Sequence, residues 1–159
     1  MKNIDPVLEM EKFTMPLQIR WSDIDANRHL RHSVYYDYGA AMRMKFLSEK
    51  GLTTHKLEEF HIGPVLLREE AVFRREIKLE DNVTIDVELL KTTTDYGRWS
   101  LRHNLIKADG TVAAIITIDG AWIDMNLRKM AVPNEFIKNV FETFPRSPEF
   151  EWIVKEKKN

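Results

Sequence analysis

The chain has 159 residues, with 24 basic and 25 acidic side chains, five histidines and no cysteine. That length makes one domain able to bury about two-thirds of its unfolded surface, and the balanced charge excludes a general nucleic-acid binder or a protein drawn to anionic membranes. The missing cysteine excludes disulfides, thiolate metal sites and a cysteine nucleophile, and with neither an apolar leader nor a spanning segment in view the composition points to a soluble, cytoplasmic protein.

Leu17 to Trp21 alternates apolar and polar residues, the period of a half-buried strand. It runs into Asp23-Ile24-Asp25-Ala26-Asn27-Arg28-His29, which packs two carboxylates, an amide and an imidazole into seven residues. Ser33 and Gly51 then bracket about five turns of helix, with Tyr35, Tyr38, Met42 and Phe46 near one face and Gly39, Ala40 and Ala41 small enough for another backbone to approach. The first half of this helix carries little charge, which predicts a central helix wrapped by a sheet. The polar cluster therefore sits between a strand and a helix N-terminus, where backbone N–H groups polarise a carbonyl or hold an oxyanion.

A loop is expected around Thr53 to Glu59, then strands over Gly63–Ile77 and Val83–Leu89. Asp95-Tyr96-Gly97-Arg98 marks a turn, and Trp99, Leu101, His103 and Leu105 share one face of the next strand. Ala108-Asp109-Gly110-Thr111 is a hairpin signal leading to a last strand over Val112–Ile123. Phe136, Ile137, Val140 and Phe141 make a short amphipathic helix with Pro133 at an early position, and the tail from Pro145 is expected to be mobile except where Phe150 and Trp152 dock. The organisation is an α+β domain over residues 1–145 with a tail over 146–159, built as a curled antiparallel sheet of about five strands around one long central helix.

This order of elements, with the segment Trp21 to His29, resembles the hot-dog-fold thioesterases, both the 4-hydroxybenzoyl-CoA thioesterase-like group and the plant-type acyl-ACP thioesterases, over roughly residues 14 to 140. In the first group the second Asp of an Asp-x-Asp pair, here Asp25, is the catalytic carboxylate. In the second, an Asp-x-Asn-x-His pattern, here Asp25, Asn27 and His29, is joined by a glutamate in an aromatic-Arg-Arg-Glu segment, here Phe73-Arg74-Arg75-Glu76. The chain departs from these patterns in Arg28 before His29 and in Ile77, where the acyl-ACP enzymes carry a cysteine. Asp25 is the residue the resemblance carries best. The resemblance also implies a homodimer or homotetramer whose site residues, Asp25 and Glu76 among them, converge across protomers.

It implies an acyl-CoA or acyl-carrier-protein substrate and no cofactor. A carboxylate at Asp25 can attack a thioester directly or deprotonate the attacking water. Asn27 can orient that water or the thioester oxygen, and His29 can hydrogen-bond a carboxylate or protonate the departing thiolate. The backbone N–H groups of His32 and Ser33, at the helix start, are the expected carbonyl contacts. Tyr35, Tyr38, Met42, Phe46, Phe73 and Trp99 are the expected acyl pocket, and Arg98 and Arg102, with Arg128 and Lys129 as further candidates, the expected phosphate contacts of coenzyme A. Arg74 and Arg75, adjacent on an expected strand, should point to opposite faces. Asp23 reads as structural, His103 as a core histidine, and His29 with His32 lacks the helical spacing of a metal pair. Two other classes use the same scaffold: a hydratase or dehydratase, which would carry its own histidine-based loop, and a non-catalytic acyl-thioester-binding module.

Overall fold

A long helix without a single polar face needs cover on several sides, and here a curved sheet supplies it. The computed structural model describes residues 11–154. In chain order the elements are β1 (Phe13–Pro16), a 3-10 turn (Trp21–Asp23), α1 (Val34–Glu49), α2 (Thr54–Phe60), β2 (Ile62–Phe73), β3 (Val83–Thr92), β4 (Arg98–Lys107), β5 (Val112–Asp124), β6 (Lys129–Met130), α3 (Glu135–Glu142) and β7 (Arg146–Trp152). The sheet runs β1-β3-β4-β5-β2, five strands as expected, with β6 added to β5 and β7 to β3. All pairs are antiparallel except β7 with β3.

α1 starts one residue after Ser33 and ends beside Gly51, whose φ of 85° is the left-handed conformation that stops a helix. Ser33 occupies the cap position without capping, because its hydroxyl accepts from Arg31 Nε at 2.9 Å. The buried side of α1 carries Val34, Tyr35, Met42, Phe46 and Leu47. Phe46 stacks on Phe144 with ring centroids 4.0 Å apart, and Ile85, Leu89, Leu105, Ile116 and Ile118 from the sheet complete the core. Of the three small residues only Gly39 is buried, and it admits a side chain rather than a backbone: a Cβ there would stand 3.2 Å from His103 Cδ2. Ala40 and Ala41 are exposed.

Register shifts at Leu66/Arg68 between β2 and β5 and at Leu89/Lys91 between β3 and β4 add the local twist that bends the sheet around α1. Trp99 and Gly120 face each other across β4 and β5, and the indole occupies the place a side chain would take: a Cβ on Gly120 would lie 2.2 Å from it.

Several expectations change. The first strand lies over Phe13–Pro16, and Leu17 only extends it with one bond from its N–H to Val83 O at 2.8 Å. The expected loop at 53–59 is helix α2, capped by Thr53 Oγ1 accepting from the Lys56 N–H. β2 ends at Phe73, so Arg74, Arg75 and Glu76 lie beyond the strand and the alternating-face argument for the two arginines does not apply. Pro133 precedes the cap Asn134 instead of entering α3. The first half of the expected tail is β7: Phe150 packs on the core, and Trp152, 42% exposed, meets Tyr96 edge to face. The basic end after Val154 lies outside the described residues. Among the described residues no helix is long and apolar enough to cross a membrane, which says nothing of β-barrels.

Candidate active site

Two aspartates in the connection to α1 divide the work. Asp23, 4% exposed, accepts from the Arg20 N–H at 3.1 Å and from the Tyr38 hydroxyl at 2.8 Å, pinning the 3-10 turn to α1. Burial alone would raise its carboxyl, but the Tyr38 hydroxyl and the N–H and charge of Arg20 outweigh it and hold the group below the ordinary value. Asp23 is structural, as the sequence suggests.

Asp25 closes the next turn. Its Oδ1 accepts the backbone N–H groups of Asn27 at 2.9 Å and His29 at 3.2 Å, while its own N–H donates to His29 O at 2.9 Å. Arg28 takes the left-handed conformation, φ 65°, to let the chain double back. Asp25 Oδ2 accepts no hydrogen bond among the described residues, so the carboxylate is fixed by one oxygen and presents the other.

The Leu30 N–H donates to Ile77 O at 2.7 Å, and this bond draws the segment after β2 against the loop. It brings His29 Nε2 to 2.9 Å from Glu76 Oε2. Glu76 thereby holds the imidazole by one nitrogen and leaves Nδ1 for other chemistry. Asp25, His29 and Glu76 come together within one chain. With Leu30, His32, Tyr35, Phe73, Arg74 and Arg75 they line an open groove of about 330 Å³. Tyr35 and Phe73 meet edge to face at 4.9 Å along it, and burial, with the charge of Asp25, pushes the Tyr35 hydroxyl up to about 12. The N–H groups of His32 and Ser33, just before α1, have no protein acceptor among the described residues, and His32 borders the groove.

Other expected residues fall elsewhere. The Asn27 side chain is exposed and outside the groove lining; only its N–H serves Asp25. Of the six acyl-pocket candidates Tyr35 and Phe73 line the groove, Tyr38 binds Asp23, Met42 and Phe46 are core, and Trp99 lines a separate cavity. Arg102 is committed to Glu88, Glu149 and Ser147 at 2.6–3.2 Å, so it has no hand left for a phosphate. Arg98 is exposed but lines a cleft with Lys91 and Asp119 that shares no residue with the groove. Arg128 ends the exposed β5–β6 turn and Lys129 opens β6, also exposed. The cations that do adjoin the groove are Arg74, Arg75, Lys78 and Lys107, which share a 370 Å³ cleft with Glu76. Arg74, Arg75 and Lys78 are neighbours in sequence, whereas Lys107 ends β4 and meets them only through the sheet.

The sequence pattern of the thioesterase-like superfamily matches residues 19–141. No curated protein matches the sequence. Among solved structures, a hypothetical protein from Staphylococcus aureus determined in complex with CoA is 20% identical over 96% of this chain and 94% of its own, with a TM-score of 0.79. The DHNA-CoA thioesterase of Staphylococcus aureus, 14% identical, covers 83% of this chain and 87% of its own at a TM-score of 0.72. The 1,4-dihydroxy-2-naphthoyl-CoA thioesterase of Synechocystis, also 14% identical, covers 82% and 95% at 0.72. At these identities the likeness is one of fold, and the fold is the hot-dog arrangement of curled sheet and central helix.

Proposed function

The chain belongs to the thioesterase-like superfamily and is a thioester hydrolase, and from that premise we propose that it cleaves acyl-CoA to the free acid and coenzyme A at the Asp25 groove. The observation that carries this reading is a carboxylate held by two backbone N–H groups, with its second oxygen open beside the His29–Glu76 pair. Asp25 Oδ2 attacks the thioester carbon to give a mixed anhydride that water then hydrolyses, or removes a proton from the attacking water. In either route the C–S bond breaks and the sulfur leaves with a proton delivered through His29, which Glu76 keeps oriented. The unpaired N–H groups of His32 and Ser33 are suited to hold the carbonyl oxygen as it gains charge.

Coenzyme A rather than a carrier protein is favoured by Arg74, Arg75 and Lys78 beside the groove, which suit its phosphates, with Lys107 in the same cleft paired to Asp81 at 3.3 Å. The carrier-protein reading rests on the Asp25, Asn27, His29 and Glu76 pattern, and Asn27 lies outside the groove. The test is thiol release from a panel of acyl-CoAs, acyl-pantetheines and acyl-carrier proteins. Activity on the CoA esters, with KM raised by Arg74→Glu and Lys78→Glu for CoA but not for pantetheine, supports it. No thiol release across the panel leaves the non-catalytic binding module in its place, and turnover of enoyl thioesters alone the hydratase.

We also propose a homodimer. β2 borders the sheet over twelve residues with Leu66, Leu67, Val72 and Phe73 about half exposed, an unusual load of apolar surface for a free edge. Two copies of β2 paired antiparallel about a two-fold near Glu69 would bring Phe73 of one beside Val65 of the other. The groove lies at the Phe73 end of β2 and the Trp99 cavity at its Pro64–Leu66 end, so this pairing sets each groove against its partner's cavity. A homotetramer would be a pair of such dimers.

A further inference from the structure

The cavity that holds Trp99 shares no residue with the carboxylate groove. It encloses about 170 Å³ between α1, the start of β2 and the aromatic cluster around Phe141, close to the ~150 Å³ that suffices for a benzene ring in an apolar protein cavity. Its wall is apolar, with Met44, Leu47, Leu66 and Leu101 among its residues, except for one charged side chain, Arg43.

Arg43 is only 12% exposed, a costly place for a cation without full pairing. Its Nη1 donates to His103 Nε2 at 3.0 Å, and the Glu69 carboxylate stands 3.8 Å from Nη2, outside hydrogen-bond reach. His103 Nδ1 faces Asp86 O at 2.8 Å, so the ring carries its proton there and is a pure acceptor toward Arg43. The guanidinium is thus aimed by a neutral, fully buried imidazole while most of its five N–H donors find no acceptor among the described residues.

A ring-sized apolar space whose wall carries one under-partnered guanidinium asks for a ligand that brings an oxygen. We infer that this cavity receives the acyl group of the substrate, and that Arg43 selects acyl groups bearing a neutral oxygen, a hydroxyl above all, at the end remote from the thioester. Glu69 offsets the charge of Arg43, so a second carboxylate gains less than a hydroxyl. His103 is the positioning residue for Arg43. The inference rests on the hydrolase reading and on the two-fold pairing that sets the cavity against a partner's groove.

The test compares CoA thioesters of one ~six-carbon chain ending in methyl, hydroxyl or carboxylate, together with calorimetric binding of the corresponding free acids to the full chain. The expected result is a kcat/KM for the hydroxyl ester at least about tenfold above the methyl ester, as one charge-assisted hydrogen bond supplies. That ratio should collapse toward one in Arg43→Met and recover in part in Arg43→Lys, with the same order in the affinities of the acids. Equal values for hydroxyl and methyl, a ratio indifferent to Arg43, or a preference for the carboxylate overturns the inference while hydrolysis stands. Absence of all turnover with the acid preference intact fails the hydrolase reading and leaves the cavity assignment supported.

Discussion

At the scale of single residues, the two oxygens of Asp25 separate structure from chemistry. Asp25→Asn keeps an Oδ1 for the N–H groups of Asn27 and His29 but loses the basic, anionic oxygen. It should lower kcat by about 10²–10⁴-fold with thermal unfolding close to the parent. Asp25→Ala should cost in addition about 1 kcal/mol of stability, the worth of turn hydrogen bonds, read as a lower midpoint in urea. Single turnover in ¹⁸O water tests the nucleophilic route: label in the Asp25 carboxylate requires a mixed anhydride that water opens at the aspartyl carbon. Asn27→Ala should keep activity within a few-fold, because the turn uses that residue's backbone. Residue type, spacing and resemblance group Asp25, His29 and Glu76, and the structure brings the three to one groove. The amide of Asn27 lies outside that groove while its N–H serves Asp25, and a pattern of letters does not distinguish a side chain from its main-chain N–H. The pairing of Glu76 with His29 depends on the Leu30–Ile77 bond, which no local rule predicts.

At the scale of elements, His103 couples β4 to α1 through Arg43, and its burial has a pH signature. Burial, followed by the nearby charge of Arg43, pushes His103 from 6.5 down to about 3. The unfolded chain therefore takes up a proton below pH 6.5 that the fold refuses, and stability falls as pH drops from 6.5 toward 3, by at most about 1.4 kcal/mol per pH unit. Urea unfolding across that range should show a steeper loss in the parent than in His103→Asn, which keeps a donor for Asp86 O but does not titrate. Asp86 is buried with its carboxyl raised and works in the opposite sense in the range above its ordinary value, so the difference between the two proteins is the quantity to read. Gly120→Ala should destabilise by about 1–3 kcal/mol through overpacking against Trp99, seen as a lower melting temperature with the fold retained. The long helix and the β3–β5 meander were legible because their periods and turns are local. β7 was not: Pro145 and Pro148 read as breakers, yet a strand at a sheet margin tolerates proline. Met42 and Phe46 were assigned to a pocket because helical spacing identifies a buried face without saying whether space or side chains lie beyond it.

At the scale of the whole molecule, light scattering on a sizing column should report a dimer, and Leu67→Lys with Phe73→Glu should yield monomer with lost turnover. A fully active monomer would remove the two-fold reading. The two margins of the sheet differ in a way that bears on how far association can go. Opposite β2, the margin among the described residues is broken into two pieces, the four-residue β1 ending at Pro16 and β7 with Pro148 inside it, running in opposite directions along β3. Such a margin is a poor template for another strand. Once two copies join through β2, both ends of the combined sheet are of this interrupted kind, so growth terminates at two and the apolar strand that drives pairing does not seed a fibre.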